Sequence, residues 1–137
     1  MDWKIEVIVV PVSDVERSKK FYADQVGFPV DFDTQSPANG MRVIQMTPPG
    51  SGCSITMGSN MSPMTPGDLK GMQLVVADIA RARAELFERG VDVSPVRMMG
   101  ENGWVDGRGG PWNSFLFFDD PDGNSWTVQE RPAADQA

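Results

Sequence analysis

The chain has 137 residues, 40% of them apolar and 23% charged, with a formal net charge of −7, the composition of an ordinary globular domain. Such an acidic balance argues against nucleic acid as a partner, because phosphate contacts need clustered Lys and Arg. No apolar run reaches the roughly 18 residues that cross a bilayer, the opening MDWKIEVIVV lacks a secretory-signal pattern, and the lone Cys53 cannot form an internal disulfide, so a cytoplasmic protein with no membrane partner is expected.

Residues 5–12, IEVIVVPV, predict a buried strand. Ser13-Asp14 supplies cap chemistry for a helix that runs to about Gln25 with an apolar stripe of Val15, Ser18, Tyr22 and Val26, and that stops before Gly27. The stripe places Tyr22 in the core with its hydroxyl at the rim. Strands follow near 28–33, 41–46 and 52–58, the last two joined by a turn at Pro48-Pro49-Gly50. Residues 59–70 carry two prolines and little periodicity and predict a linker.

A strand at about 71–76 then leads to a helix capped by Asp78, with Ile79, Ala82 and Leu86 on its apolar stripe and Gly90 as its stop. A strand is expected near 91–95. The glycine-rich segment 96–112 is expected to be irregular. Strands at 113–119 and 124–130, turning on Asp120-Pro121-Asp122-Gly123, form a closing hairpin, and residues 131–137 predict a disordered tail.

The second half echoes the first. VPVSDVERSKKFYADQVGFPV (10–30) is answered by VVADIARARAELFERGVDV (75–93), and TPPGSGCSITM (47–57) by DPDGNSWTVQE (120–130). Duplication on this scale implies one domain, 1–137, built from module one (4–60) and module two (70–130). The fold class is α+β: two βαβββ modules forming a curved mixed sheet around a central cleft. A cleft of that kind is where a ligand is expected.

The segments VPVSDVERSKKFY (10–22), Gly27-Phe28 and FFDDPDGNSWTVQE (117–130), in this order and duplicated, resemble the vicinal oxygen chelate superfamily: glyoxalase I, extradiol dioxygenases, and fosfomycin- and bleomycin-resistance proteins. The resemblance spans nearly the whole chain. It implies a divalent metal held by side chains on the concave sheet. Counting back from the helix-opening Asp14 and Asp78 reaches Val7 and Gly71; counting on from the turn glycines Gly50 and Gly123 reaches Ser54 and Thr127. Valine and glycine have no donor to offer, a neutral hydroxyl is a poor one, and the chain contains no histidine. No metal and no cofactor is therefore expected, and the metal-dependent activities of the family do not carry over.

In the same register the concave face is lined by Val7, Val9, Ser54, Gln73, Thr127 and Gln129, with Phe115 and Phe117 as the inward positions of an aromatic run. Trp104 and Trp112 lie in the glycine-rich segment, which is expected to act as a lid over a ligand, flanked by Arg97 and Arg108. Asp31 and Asp33, two apart on one strand, are expected to share an exposed face. Glu6, if buried, would be a candidate general acid or base. Catalytic residues are not assigned. The function expected is binding of a small organic molecule, antibiotic or natural-product-like, by a metal-independent protein that the resemblance implies is a homodimer. The alternative is a metal-free isomerase, cyclase or lyase, with a metal-dependent enzyme third because the donor residues are missing.

Overall fold

A computed structural model describes residues 1–134, and the chain divides into two units. The first holds Met1–Leu69 together with Asp120–Asn124; the second holds Lys70–Asp119 and the residues from Ser125 onward. The expected α+β fold of two modules is what the chain adopts, with a mixed sheet in each unit.

The first unit runs β1 (Val7–Val9), α1 (Val15–Lys20), a π-helical continuation (Phe21–Val26), β2 (Val30–Gln35), β3 (Arg42–Met46) and β4 (Ser54–Gly58). Its sheet order is β1-β4-β3-β2, parallel at β1–β4 and antiparallel elsewhere. Asp14 caps α1 by accepting from the Arg17 amide at 3.0 Å. Gly27, at φ 93°, ends the helix in the left-handed conformation that glycine adopts without a Cβ penalty. One face of the sheet buries Ile44, Met46, Ile55 and Met57 in the same core as Phe21 and Phe28.

The turn at Asp120–Asn124 completes this core with polar groups. Tyr22, fully buried, donates from its hydroxyl to Asp120 Oδ2 at 2.7 Å. The hydroxyl is thus interior rather than at a rim. Asn124 Nδ2 donates to Pro11 O and to Asp120 Oδ2, at 2.8 and 2.7 Å. Asn124 Oδ1 accepts from the amides of Gly67 and Leu69, so one buried side chain satisfies backbone in the segment expected to be a linker.

The second unit runs β5 (Met72–Val76), α2 (Ile79–Glu88), β6 (Arg97–Gly100), β7 (Gly103–Asp106), β8 (Phe115–Asp119) and β9 (Ser125–Glu130), in sheet order β5-β9-β8-β6-β7. Asp78 caps α2 through the Arg81 amide at 3.0 Å, and Glu130 Oε2 accepts from the Ile79 amide at 3.0 Å, so two carboxylates serve the positive end of the helix. Leu116, Phe118, Trp126 and Val128 are buried, with Phe118 and Trp126 stacked at 6.1 Å between centroids.

Three expectations are corrected here. Residues 91–96 form no strand; Pro95 withholds an amide, and the ladder begins at Arg97. The segment 96–112 is not irregular, because β6 and β7 form a hairpin within it, pairing Gly100 with Gly103 and Arg97 with Asp106. The tail is held at its start: the Arg131 amide donates to Val76 O at 2.9 Å and Pro132 is buried. The remainder of the expected tail, 135–137, lies outside the described residues.

Candidate functional site

In the first unit Val7 pairs with Ser54 and Val9 with Thr56 across β1 and β4, and Thr56 pairs with Gln45 across β4 and β3. Paired residues share a sheet face. Val7, Val9, Ser54, Thr56 and Gln45 therefore form one surface, opposite the core face. Val7 is exposed, Val9 and Ser54 are half-buried, and Thr56 is buried.

A bulge adds a carboxylate to this surface. Val30 pairs with Met46 but Phe32 with Gln45, leaving Asp31 as an extra residue in β2. The extra residue breaks the alternation, so Asp31 turns to the Gln45 side. Its Oδ2 accepts from Thr47 Oγ1 at 2.5 Å and from Gln45 Nε2 at 3.2 Å, and Thr47 Oγ1 lies 2.6 Å from Ser54 Oγ. Asp33 stays on the helix side, where it binds Arg42 and Lys19 at 2.7 Å each. The Arg42 guanidinium first, and then the Lys19 ammonium, hold its carboxyl well below the usual carboxylate range. Asp31 and Asp33 do not share a face, contrary to expectation.

In the second unit Gln73 pairs with Thr127 and Val75 with Gln129 across β5 and β9, while Phe117 pairs with Thr127 and Phe115 with Gln129 across β8 and β9. All six share one face. Trp104, on edge strand β7, packs edge-on against both phenylalanines, at 5.2 Å from Phe115 and 5.1 Å from Phe117, and remains 47% exposed. Trp104 belongs to a paired strand and not to a lid. Asn113 stitches the loop after β7 to β6: its Oδ1 accepts from the Met99 amide at 2.9 Å and its Nδ2 donates to Met99 O at 3.1 Å.

Gln73 Nε2 donates to Gln129 Oε1 at 2.6 Å, and Gln129 Nε2 donates to Trp112 O at 2.7 Å. Trp112 has φ 62°, a left-handed backbone rare for a bulky residue. Its indole is half exposed and lines a cavity of about 320 Å³ with Arg108, Gly109, Gly110, Pro111, Glu130 and Pro132. Gln129 thus touches both regions, through its pair with Phe115 and its bond to the Trp112 carbonyl.

Of the expected site residues, Val7, Val9 and Ser54 come together in the first unit. Gln73, Trp104, Phe115, Phe117, Thr127 and Gln129 come together in the second, with Trp112 tied to them by its carbonyl. Sequence reasoning missed Gln45, Thr47 and the orientation of Asp31. Glu6 is exposed and offers no desolvated acid or base. Arg97 pairs with Asp106 at 3.2 Å and Arg108 with Glu130, so both arginines flanking the expected lid are engaged by carboxylates.

The donor set does not fit a metal. Of the positions that the resemblance assigns to ligands, Val7 and Gly71 have no donor atom, and Ser54 and Thr127 carry neutral hydroxyls. Among the described residues, no three His, Cys, Asp or Glu side chains gather where an ion could be held. No described helix is long and apolar enough to cross a membrane.

The model of the Glyoxalase/Bleomycin resistance protein/Dioxygenase superfamily matches residues 4–128. Among solved structures, TnmS3, an antibiotic binding protein from Streptomyces sp. CB03234, is 32% identical with a TM-score of 0.75, over 95% of this chain and 97% of that one. A glyoxalase/bleomycin resistance protein from the same organism is 34% identical with a TM-score of 0.72, over 92% and 99%. A superfamily member from Sphaerobacter thermophilus DSM 20745 is 29% identical with a TM-score of 0.72, over 95% and 98%. Among curated proteins none matches the chain. With a family match across nearly its full length, on a fold of two βαβ-based modules, the chain belongs to the Glyoxalase/Bleomycin resistance protein/Dioxygenase superfamily.

Proposed function

We propose that this protein binds a small, planar organic molecule of antibiotic or natural-product type, and does so without a metal. The observation that carries the reading is the aromatic corner of the second unit: Trp104 held edge-on over Phe115 and Phe117, half open to solvent, beside the amides of Gln73 and Gln129. Rigid aromatic surface with a few fixed polar groups is what a ligand site for a flat molecule needs. Its stiffness comes from the ladder and from Asn113, so little order has to be imposed when a ligand arrives. The description of TnmS3 as an antibiotic binding protein supports the same reading for this relative of it.

Metal independence rests on the donor set. A homodimer belongs to the proposal through the family resemblance, and a cytoplasmic location through the single Cys53.

The test is a panel of planar natural products titrated against the intrinsic tryptophan fluorescence of the protein, with and without chelator. Saturable quenching unaffected by chelator is expected for at least one compound class. Turnover of a bound compound, followed by product analysis, would move the reading to the metal-free enzyme.

A further inference from the structure

Three hydroxyls on one face of the first sheet have no proton left to give. A carboxylate oxygen only accepts, so in the 2.5 Å contact between Thr47 Oγ1 and Asp31 Oδ2 the threonine is the donor. That commits its single proton. In the 2.6 Å contact between Ser54 Oγ and Thr47 Oγ1 the serine must therefore donate. Thr56 Oγ1 donates to Ile44 O at 3.0 Å. The Ser54 amide is also committed, to Glu6 O at 2.8 Å. Gln45 turns its Nε2 to the same Asp31 oxygen, at 3.2 Å. Ser54 Oγ, half-buried beside Val7, is left with lone pairs only.

We propose that Ser54 Oγ is an acceptor site selecting ligands that carry an O–H or N–H donor, a phenol being the simplest, and that Asp31 and Thr47 are positioning residues that fix its polarity. The proposal rests on the reading that the chain binds small organic molecules, concerns the first unit's sheet face alone, and adds the group that a ligand there must present. A ligand ether in place of the hydroxyl would set two acceptors against each other and leave both without a proton. A site built this way discriminates by rejecting that mismatch. Polarity here is dictated from Asp31, two hydrogen bonds away from Ser54. No proton moves and no bond changes.

The test uses 6-hydroxyquinoline and 6-methoxyquinoline, flat molecules that differ at the donor. Dissociation constants are read from amide shifts at residues 45–56 of the full chain, in the native protein and in Ser54→Ala, Thr47→Val and Asp31→Asn. The hydroxy compound is expected to bind about tenfold tighter than the ether, and the ratio to fall to about one in Ser54→Ala. Thr47→Val should also collapse the ratio, although Ser54 is intact, because the serine proton is then free to meet the ether. A merely structural role for Thr47 would weaken both compounds alike and leave their ratio unchanged. Equal affinities in the native protein, a ratio that survives Ser54→Ala, or no shifts at 45–56 would each overturn the acceptor site. If both quinolines quench tryptophan fluorescence but shift no amide at 45–56, the acceptor site falls and the binding reading stands. If the natural-product panel also fails to bind, the binding reading falls on its own.

Discussion

Asp31 and Asp33 stand two residues apart on one strand and serve opposite faces of its sheet. Asp31 accepts from Thr47 on one side, and Asp33 is gripped by Arg42 and Lys19 on the other. The single-residue bulge at Asp31 separates a carboxylate that organises a candidate ligand surface from one that ties α1 to the sheet.

Asp33 gives a pH prediction. Its carboxyl lies below the usual range because Arg42 and then Lys19 stabilise its charged form. A group whose folded pKa is depressed stabilises the fold above its unfolded value, about 3.9, and loses that contribution as pH falls toward the folded value. Urea midpoints measured from pH 6 downward should drop more steeply below about pH 4 in the native protein than in Asp33→Asn, which should be less stable than native at pH 6. Identical pH slopes would remove Asp33 from the account of acid stability.

Tyr22→Phe should cost about 1–3 kcal/mol. It removes the hydroxyl that donates to buried Asp120 Oδ2, leaving that oxygen with Asn124 Nδ2. Equilibrium denaturation measures the loss. A change within experimental error would mean that solvent reaches Asp120.

Asn113→Ala should loosen the β6–β7 hairpin, since one side chain supplies both hydrogen bonds to Met99. Amide exchange at 97–106 should accelerate while β5 and β9 keep their protection. Gly109→Ala should act in the same place, because an added Cβ would sit 2.2 Å from Asn113 O.

The sequence carried most of the scaffold because its signals are local. Asp14 and Asp78 cap helices, Gly27 stops one, and the alternation in β8 and β9 sends Phe115, Phe117, Thr127 and Gln129 to one face. The β6–β7 hairpin was missed: Asn102-Gly103 is a hairpin signal, but the surrounding glycines and tryptophans gave 96–112 the look of an irregular loop. The bulge at Asp31 was not. Val-Asp-Phe-Asp-Thr contains no glycine or proline to mark it, and the extra residue appears only when β2 is paired with β3. The polar chain Asp31–Thr47–Ser54 stayed hidden for the same reason. The engagement of Arg108 by Glu130 joins positions far apart in sequence and left no local trace.

Trp104→Ala tests the central claim most directly. The indole is half exposed and lies on an edge strand, so its removal should leave most of the core intact while exposing Phe115 and Phe117. Calorimetric titration of the best-binding compound from the natural-product panel, in chelator, should show affinity reduced at least about tenfold, as for an aromatic anchor, with the unfolding midpoint little changed. Native affinity in Trp104→Ala, or binding by the native protein that appears only when a divalent metal is supplied, would contradict it.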